Sequence, residues 1–162
     1  MSATLPTRRA GPAVVASVVL AVAFMAVPAR GVAATVALTP TGSGGSMIVY
    51  RGGESPAETN IVTMSRAGDS YNFQDTAGVT DVGGCDDVDN EHATCPATGV
   101  EAIQLFLNNG NDELTIADSA SPVRPVTAAP RITADGGVGD DLLIGAAGPE
   151  SLTGGPGTDR LY

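Results

Sequence analysis

The sequence predicts an all-β protein built of short strands, on three observations. Tryptophan is absent and there are only three tyrosines and three phenylalanines among 162 residues, so a large aromatic core is not available. The apolar positions are mostly Val, Ile, Leu and Ala in short runs, a composition that favours many short strands over long helices. Glycine-rich turn signals recur roughly every 10–14 residues, a spacing that fits a small sandwich, a barrel or the coils of a β-solenoid.

The first segment is read as a secretory signal peptide and excluded from the fold. Arg8 and Arg9 form a basic start, and Ala13 to Val27 is an uncharged run. Small residues follow, so cleavage is expected near Ala34 or, alternatively, after Ala29. The apolar run is too short for the roughly 20 residues of a membrane-spanning helix. The twin arginines are followed by Ala10-Gly11-Pro12, which fits a twin-arginine signal poorly.

Beyond it, residues 35–116 read as a β-rich region. Strands are expected at 35–38, 47–50, 60–64 and 70–73, separated by turns at 41–46, 52–53 and 67–69. From Val100 to Leu107 the chain is apolar, with Ile103, Leu105 and Leu107 on one face by period-2 counting. It leads into Asn109-Gly110-Asn111-Asp112-Glu113-Leu114-Thr115-Ile116. A Ser/Pro/Ala-rich connection follows; its boundary is placed at 117–135, although Arg131-Ile132-Thr133 already reads as the start of a strand.

Charge narrows the partners. Residues 1–34 hold Arg8, Arg9 and Arg30 and no acid, which leaves five basic against 18 acidic residues, a net charge of −13. There is no lysine. Such a surface repels phosphate backbones, which argues against nucleic acid. It suits a hard cation that takes oxygen ligands, or simply keeps the protein soluble.

Cys85 and Cys95 both lie in the exported part, where an even count argues for a disulfide. Between them stand Asp86, Asp87, Asp89, Glu91 and the single histidine, His92. Counted from Asp87, an EF-hand would need glycine where His92 stands and glutamate where Thr98 stands, so that motif is rejected. A solvated hairpin or insertion closed by the disulfide is expected instead.

From Gly136 the chain has a strict nine-residue period: 136–144, 145–153 and 154–162. Glycine holds the first and fourth places of every unit. An acid holds the sixth (Asp141, Glu150, Asp159) and leucine the eighth (Leu143, Leu152, Leu161). Glycine permits the φ > 0 angles of a tight turn and lets carbonyls approach an ion. The sixth-place acid supplies a charged oxygen. The last three residues form a strand whose middle side chain points inward.

This run resembles the hemolysin-type (RTX) calcium-binding repeat family, with consensus Gly-Gly-x-Gly-x-Asp-x-Leu-x. The first and third units match every fixed place. Residues 108–116 match loosely, at Gly110, Asp112 and Leu114. The order of strand, cysteine loop and Asn-Gly-Asn-Asp turn is also similar to secreted actinobacterial proteins carrying these repeats. The resemblance implies a β-solenoid ending in a right-handed parallel β-roll of RTX type, two nonamers per coil, with calcium between turns 18 residues apart. It implies carboxylate ligands from Asp141 and Asp159 and carbonyl ligands from Gly137, Gly139, Gly154 and Pro156. In the middle unit Ala146 replaces a glycine and Glu150 an aspartate, so packing through Leu152 is expected there rather than a site.

The function expected is therefore calcium binding outside the cell, by repeats that fold or gain stability with the ion. An adhesin or spacer at the cell surface is one alternative, and a truncated part of a secreted hydrolase or toxin is another. Enzymatic activity is not expected: there is no His-Glu-x-x-His or Gly-x-Ser-x-Gly, and His92 has no evident partner in sequence. The final unit carries no polar cap, so the chain is expected either to be truncated after Tyr162 or to associate end to end.

Overall fold

Short alternating segments become strands, and a computed structural model describes them for residues 33–55, 58–117 and 130–162. The signal-peptide reading and most of the proline-rich connection fall outside those residues. Thirteen strands and no helix occur among the described residues. None of these residues forms a helix long and apolar enough to cross a membrane.

The strands form two sheets whose alternating buried side chains share one hydrophobic core. One sheet runs β5 (Val79–Gly83), β1 (Ala34–Pro40), β2 (Ser46–Arg51), β8 (Val100–Phe106), β10 (Arg131–Asp135), β12 (Glu150–Thr153). The other runs β6 (Asp86–Asp87), β7 (His92–Pro96), β4 (Ser70–Asp75), β3 (Ile61–Ala67), β9 (Glu113–Ile116), β11 (Leu142–Ile144), β13 (Arg160–Leu161). The connection thus ends at 130 rather than 135, because Ile132 and Ala134 continue the buried alternation of the first sheet.

Two connectivities meet in this frame. Around β1–β2, β3–β4 and β6–β7 the pairing is antiparallel, made by local hairpins. Four connections instead cross from the first sheet to the second: β2 to β3, β8 to β9, β10 to β11, and β12 to β13. Each crossing stacks on the last, so β2, β8, β10 and β12 are mutually parallel, as are β3, β9, β11 and β13.

Register makes the core. In the first sheet Ile48, Ile103 and Ile132 lie in one row, and Tyr50, Leu105 and Ala134 in the next. In the second sheet Val62, Leu114 and Leu143 share a row. All of these are buried, and each fully buried aliphatic side chain stabilises the fold by about 1.5–3 kcal/mol. The rows end in Glu150, Leu152 and Leu161 on the outer strands β12 and β13. Leu152 packs partly buried against the core, whereas Leu161 is 45% exposed.

The acidic loop is a hairpin. Strand β7 pairs with β4 on one side and β6 on the other, and Cys85 is disulfide-bonded to Cys95. The hairpin expected as one reading of the cysteine loop is β6–β7, whereas β5 carries no strand signal in sequence, having only Val79 buried. The single histidine pairs there with a carboxylate, His92 Nδ1 lying 2.7 Å from Asp89 Oδ1, with both side chains exposed.

Candidate metal centre

The crossings from the first sheet to the second form a column along one edge: 52–55 with 58–60, then 107–112, 136–141 and 154–159. The strand register sets 136–141 directly against 154–159, eighteen residues apart, the pairing that the resemblance implies. It also sets 107–112 against 136–141, since Leu114 lies beside Leu143. The loosely matching unit therefore begins at Leu107, one residue before its expected start, with Gly110 in the fourth place and Asp112 in the sixth. The 29-residue offset to the next unit comes from the connection at 117–130, which interrupts the period but not the stack.

Backbone conformation follows the same places. Gly137 and Gly155, at the second place, have φ 97° and 103°; Asn108 takes this place in the earlier turn with φ 75°. Asparagine tolerates that left-handed region better than other non-glycine residues, and here Asn108 Nδ2 donates to Gly52 O at 2.7 Å. The turns also touch through their backbones. A methyl group on Gly137 would collide with Asn108 O, and one on Gly155 with Gly137 O.

Hydrogen bonds tie each turn to the next. Gly137 N donates to Gly154 O at 2.9 Å and Gly139 N to Pro156 O at 3.0 Å. The carbonyls of Gly137 and Gly139 press instead on the α-carbons of Gly155 and Gly157. All four carbonyls expected as ligands thus lie in the interface between the two glycine turns.

A second ladder runs through the sixth-place side chains. Asn60 N donates to Asp112 Oδ1 (2.7 Å), Asp112 N to Asp141 Oδ1 (2.8 Å), and Asp141 N to Asp159 Oδ1 (3.0 Å). Each carboxylate spends one oxygen on the turn above. Asp112 and Asp141 are each only 2% exposed, and their Oδ2 atoms are buried with no hydrogen-bond partner among the described residues. Asp141 Oδ2 and Gly154 O both crowd the α-carbon of Gly136, so a methyl group there would strike both. Asp159 folds over Gly154 in the same way but is more exposed.

Burial and crowding of like charges act on these groups. Desolvation raises Asp112 to about 6, with Asp141 and Asp75 adding to the rise against the hydrogen bonds from Asn60. Asp141 is also raised, by burial first and then by the charges of Asp159, Asp140 and Asp135, against the Asp112 N–H bond. No arginine or histidine forms an ion pair with any of them among the described residues.

Two features escaped the sequence reading. The first crossing belongs to the column through its described ends, Gly52 and Asn60, although its length breaks the nonapeptide pattern. The visible signal is Asn60-Ile61-Val62-Thr63, which parallels Asp112-Glu113-Leu114-Thr115 and Asp141-Leu142-Leu143-Ile144. The second feature is buried Asp75, which accepts from the Tyr50 hydroxyl at 2.7 Å and from Ala77 N at 3.0 Å. Burial raises both groups, Tyr50 well above its usual value.

Glu150 does not extend the column. It opens β12 beside Ile132, at the opposite end of a strand from the stacked turns, and its Oε1 is buried without a partner. Among the described residues no three His, Cys, Asp or Glu side chains group closely enough to hold a metal by side chains alone. Any ion in the column would depend on backbone carbonyls as well as on Asp141 and Asp159. The partnerless Oδ2 of Asp141, set beside Gly154 O at Gly136, fits that kind of donor set. Compared with protein-family models, curated proteins and solved structures, the chain matches none of the three.

Proposed function

We propose that the protein binds calcium between turns 136–141 and 154–159, and that the two sheets are the faces of a short β-solenoid of RTX type. The observation that carries this reading is the buried Asp141 Oδ2, which receives no hydrogen bond from the described residues and shares the Gly136 α-carbon with Gly154 O. A buried carboxylate oxygen without a donor is costly, and the Gly154 carbonyl beside it brings only a second acceptor, itself bonded to the Gly137 N–H. Calcium accepts such an all-oxygen environment and supplies positive charge between the stacked carboxylates.

The chain's own residues do the rest. Asp141 and Asp159 contribute the carboxylates, held at fixed register by their bonds to the turn above. Gly137, Gly139, Gly154 and Pro156 contribute carbonyls that only glycine-containing turns bring this close. The Leu114 and Leu143 row keeps the turns stacked. Ion binding to the folded state then adds stability by mass action.

The same reading covers the setting. Calcium is abundant outside cells, and a signal peptide with an acidic, disulfide-bonded remainder suits an extracellular protein. Ala34 begins β1 and its N–H donates to Gly78 O at 3.0 Å, so cleavage after Ala29 would keep the strand whole and cleavage after Ala34 would shorten it. The role is binding and structural rather than enzymatic, with a cell-surface spacer as its nearest variant.

Equilibrium dialysis against calcium tests it. The chain should bind saturably, Asp141→Ala and Asp159→Ala should weaken binding at least tenfold, and Asp89→Ala in the hairpin should leave it unchanged. Equal losses from all three variants would mean diffuse attraction to an acidic surface and would refute the site.

A further inference from the structure

The first turn of the column differs from the others in the chemistry of one atom. Asn60 occupies its sixth place, and Asn60 Nδ2 donates to Leu107 O at 3.3 Å and to Asp112 Oδ1 at 3.1 Å, both in the turn below. The close packing is the same as at Gly136. A methyl group on Gly52 would meet Leu107 O and Asn60 Nδ2, just as one on Gly136 would meet Gly154 O and Asp141 Oδ2. A donor thus faces the carbonyl between the first two turns, and an acceptor faces it between the last two.

Asp112 stands in register between these cases. It is 2% exposed, and its Oδ2 is buried without a hydrogen-bond partner among the described residues. Its other oxygen is already taken by Asn60 N and Asn60 Nδ2. Below it, Asp141 Oδ1 is taken by Asp112 N. A buried carboxylate oxygen in this position needs a positive partner, and no basic side chain of the described residues supplies one.

We propose that the column contains a second hard-cation site, between turns 107–112 and 136–141 with Asp112 Oδ2 as a ligand, and that Asn60 ends the series by supplying an amide N–H where the later turns call for an ion. The choice of calcium rests on the reading of Asp141 and Asp159 above; the role of Asn60 does not. The interrupted spacing hides this site in sequence, since 107–112 and 136–141 are 29 residues apart.

The exchange of amide for ion makes the proposal testable with the full chain. Asp112→Asn should recreate the Asn60 arrangement one turn lower. Calcium titration should then fall from two ions per chain to one. In chelator, Asp112→Asn should melt about 4 °C or more above the unsubstituted chain, since a hydrogen bond replaces an unpaired charge. Asn60→Asp should do the reverse, lowering the melting temperature in chelator and adding a calcium-dependent recovery. Undiminished stoichiometry in Asp112→Asn, or a melting temperature in chelator no higher than that of the unsubstituted chain, would overturn the proposal. If the unsubstituted chain binds no calcium at all, the repeat-turn reading fails with the second site, and the chelator measurements alone still decide the role of Asn60.

Discussion

At the scale of single residues, the glycines and aspartates of the column have separate tasks. Gly137 combines φ 97° with a backbone oxygen lying against its α-carbon, so Gly137→Ala meets both backbone strain and a collision. A loss on the order of 2–4 kcal/mol is expected in chemical denaturation, against well under 1 kcal/mol for Gly42→Ala, which has open space around it. Asp112 sets a pH dependence. Its folded value of about 6 lies above an unfolded value near 3.9, so the folded state holds the proton more tightly. The resulting stabilisation is fully present below about pH 4 and is lost as pH rises through about 6, on the order of 2 kcal/mol. Burial moves Asp141 in the same direction. Melting temperature in chelator should therefore fall between pH 4 and pH 7, and Asp112→Asn should flatten the profile. A melting temperature that rises over this range would contradict the assignment.

At the scale of elements, stability concentrates in the rows shared between strands. Leu143 is fully buried between Leu114 and Leu161, so Leu143→Ala should cost about 2–4 kcal/mol, while Leu161→Ala, at 45% exposure, should cost less than half as much. The Cys85–Cys95 hairpin lies at the far edge of its sheet from the repeats. Replacing both cysteines with serine should lower stability by about 2–3 kcal/mol and leave calcium affinity within twofold. A large affinity loss would mean that the hairpin and the column are coupled. What was legible in sequence follows the same division. Short apolar runs between turn signals identify β1 to β4, period-2 alternation identifies β8, and the family resemblance implies the 136–141 and 154–159 pairing. Short β5 and β6 carry no such signal, since Val79 is the one buried residue between them, and β7 is legible only as part of a hairpin between the cysteines. The stacking of Gly52 and Asn60 on turn 107–112 escapes, and Asp112 is legible only as a loose match one place out of phase, because insertions change chain distance without changing which turns stack. The Tyr50–Asp75 pair is invisible because a strand tyrosine looks the same whether its hydroxyl reaches solvent or a buried carboxylate.

For the whole molecule, an acidic chain stacks sixth-place carboxylates along one edge while hydrophobic rows hold the sheets together. The rows favour the stack and the carboxylates oppose it, so stability should depend on what neutralises the column. The central claim is that calcium does so at Asp141 and Asp159. Thermal unfolding of the full chain at pH 7, in excess calcium and in chelator, measures this most directly. Calcium at about a hundred times its dissociation constant should add roughly 2.7 kcal/mol per site, raising the melting temperature by about 10 °C, and Asp141→Ala should abolish most of that rise. An unchanged melting temperature in calcium, or the same rise in Asp141→Ala, would contradict the account.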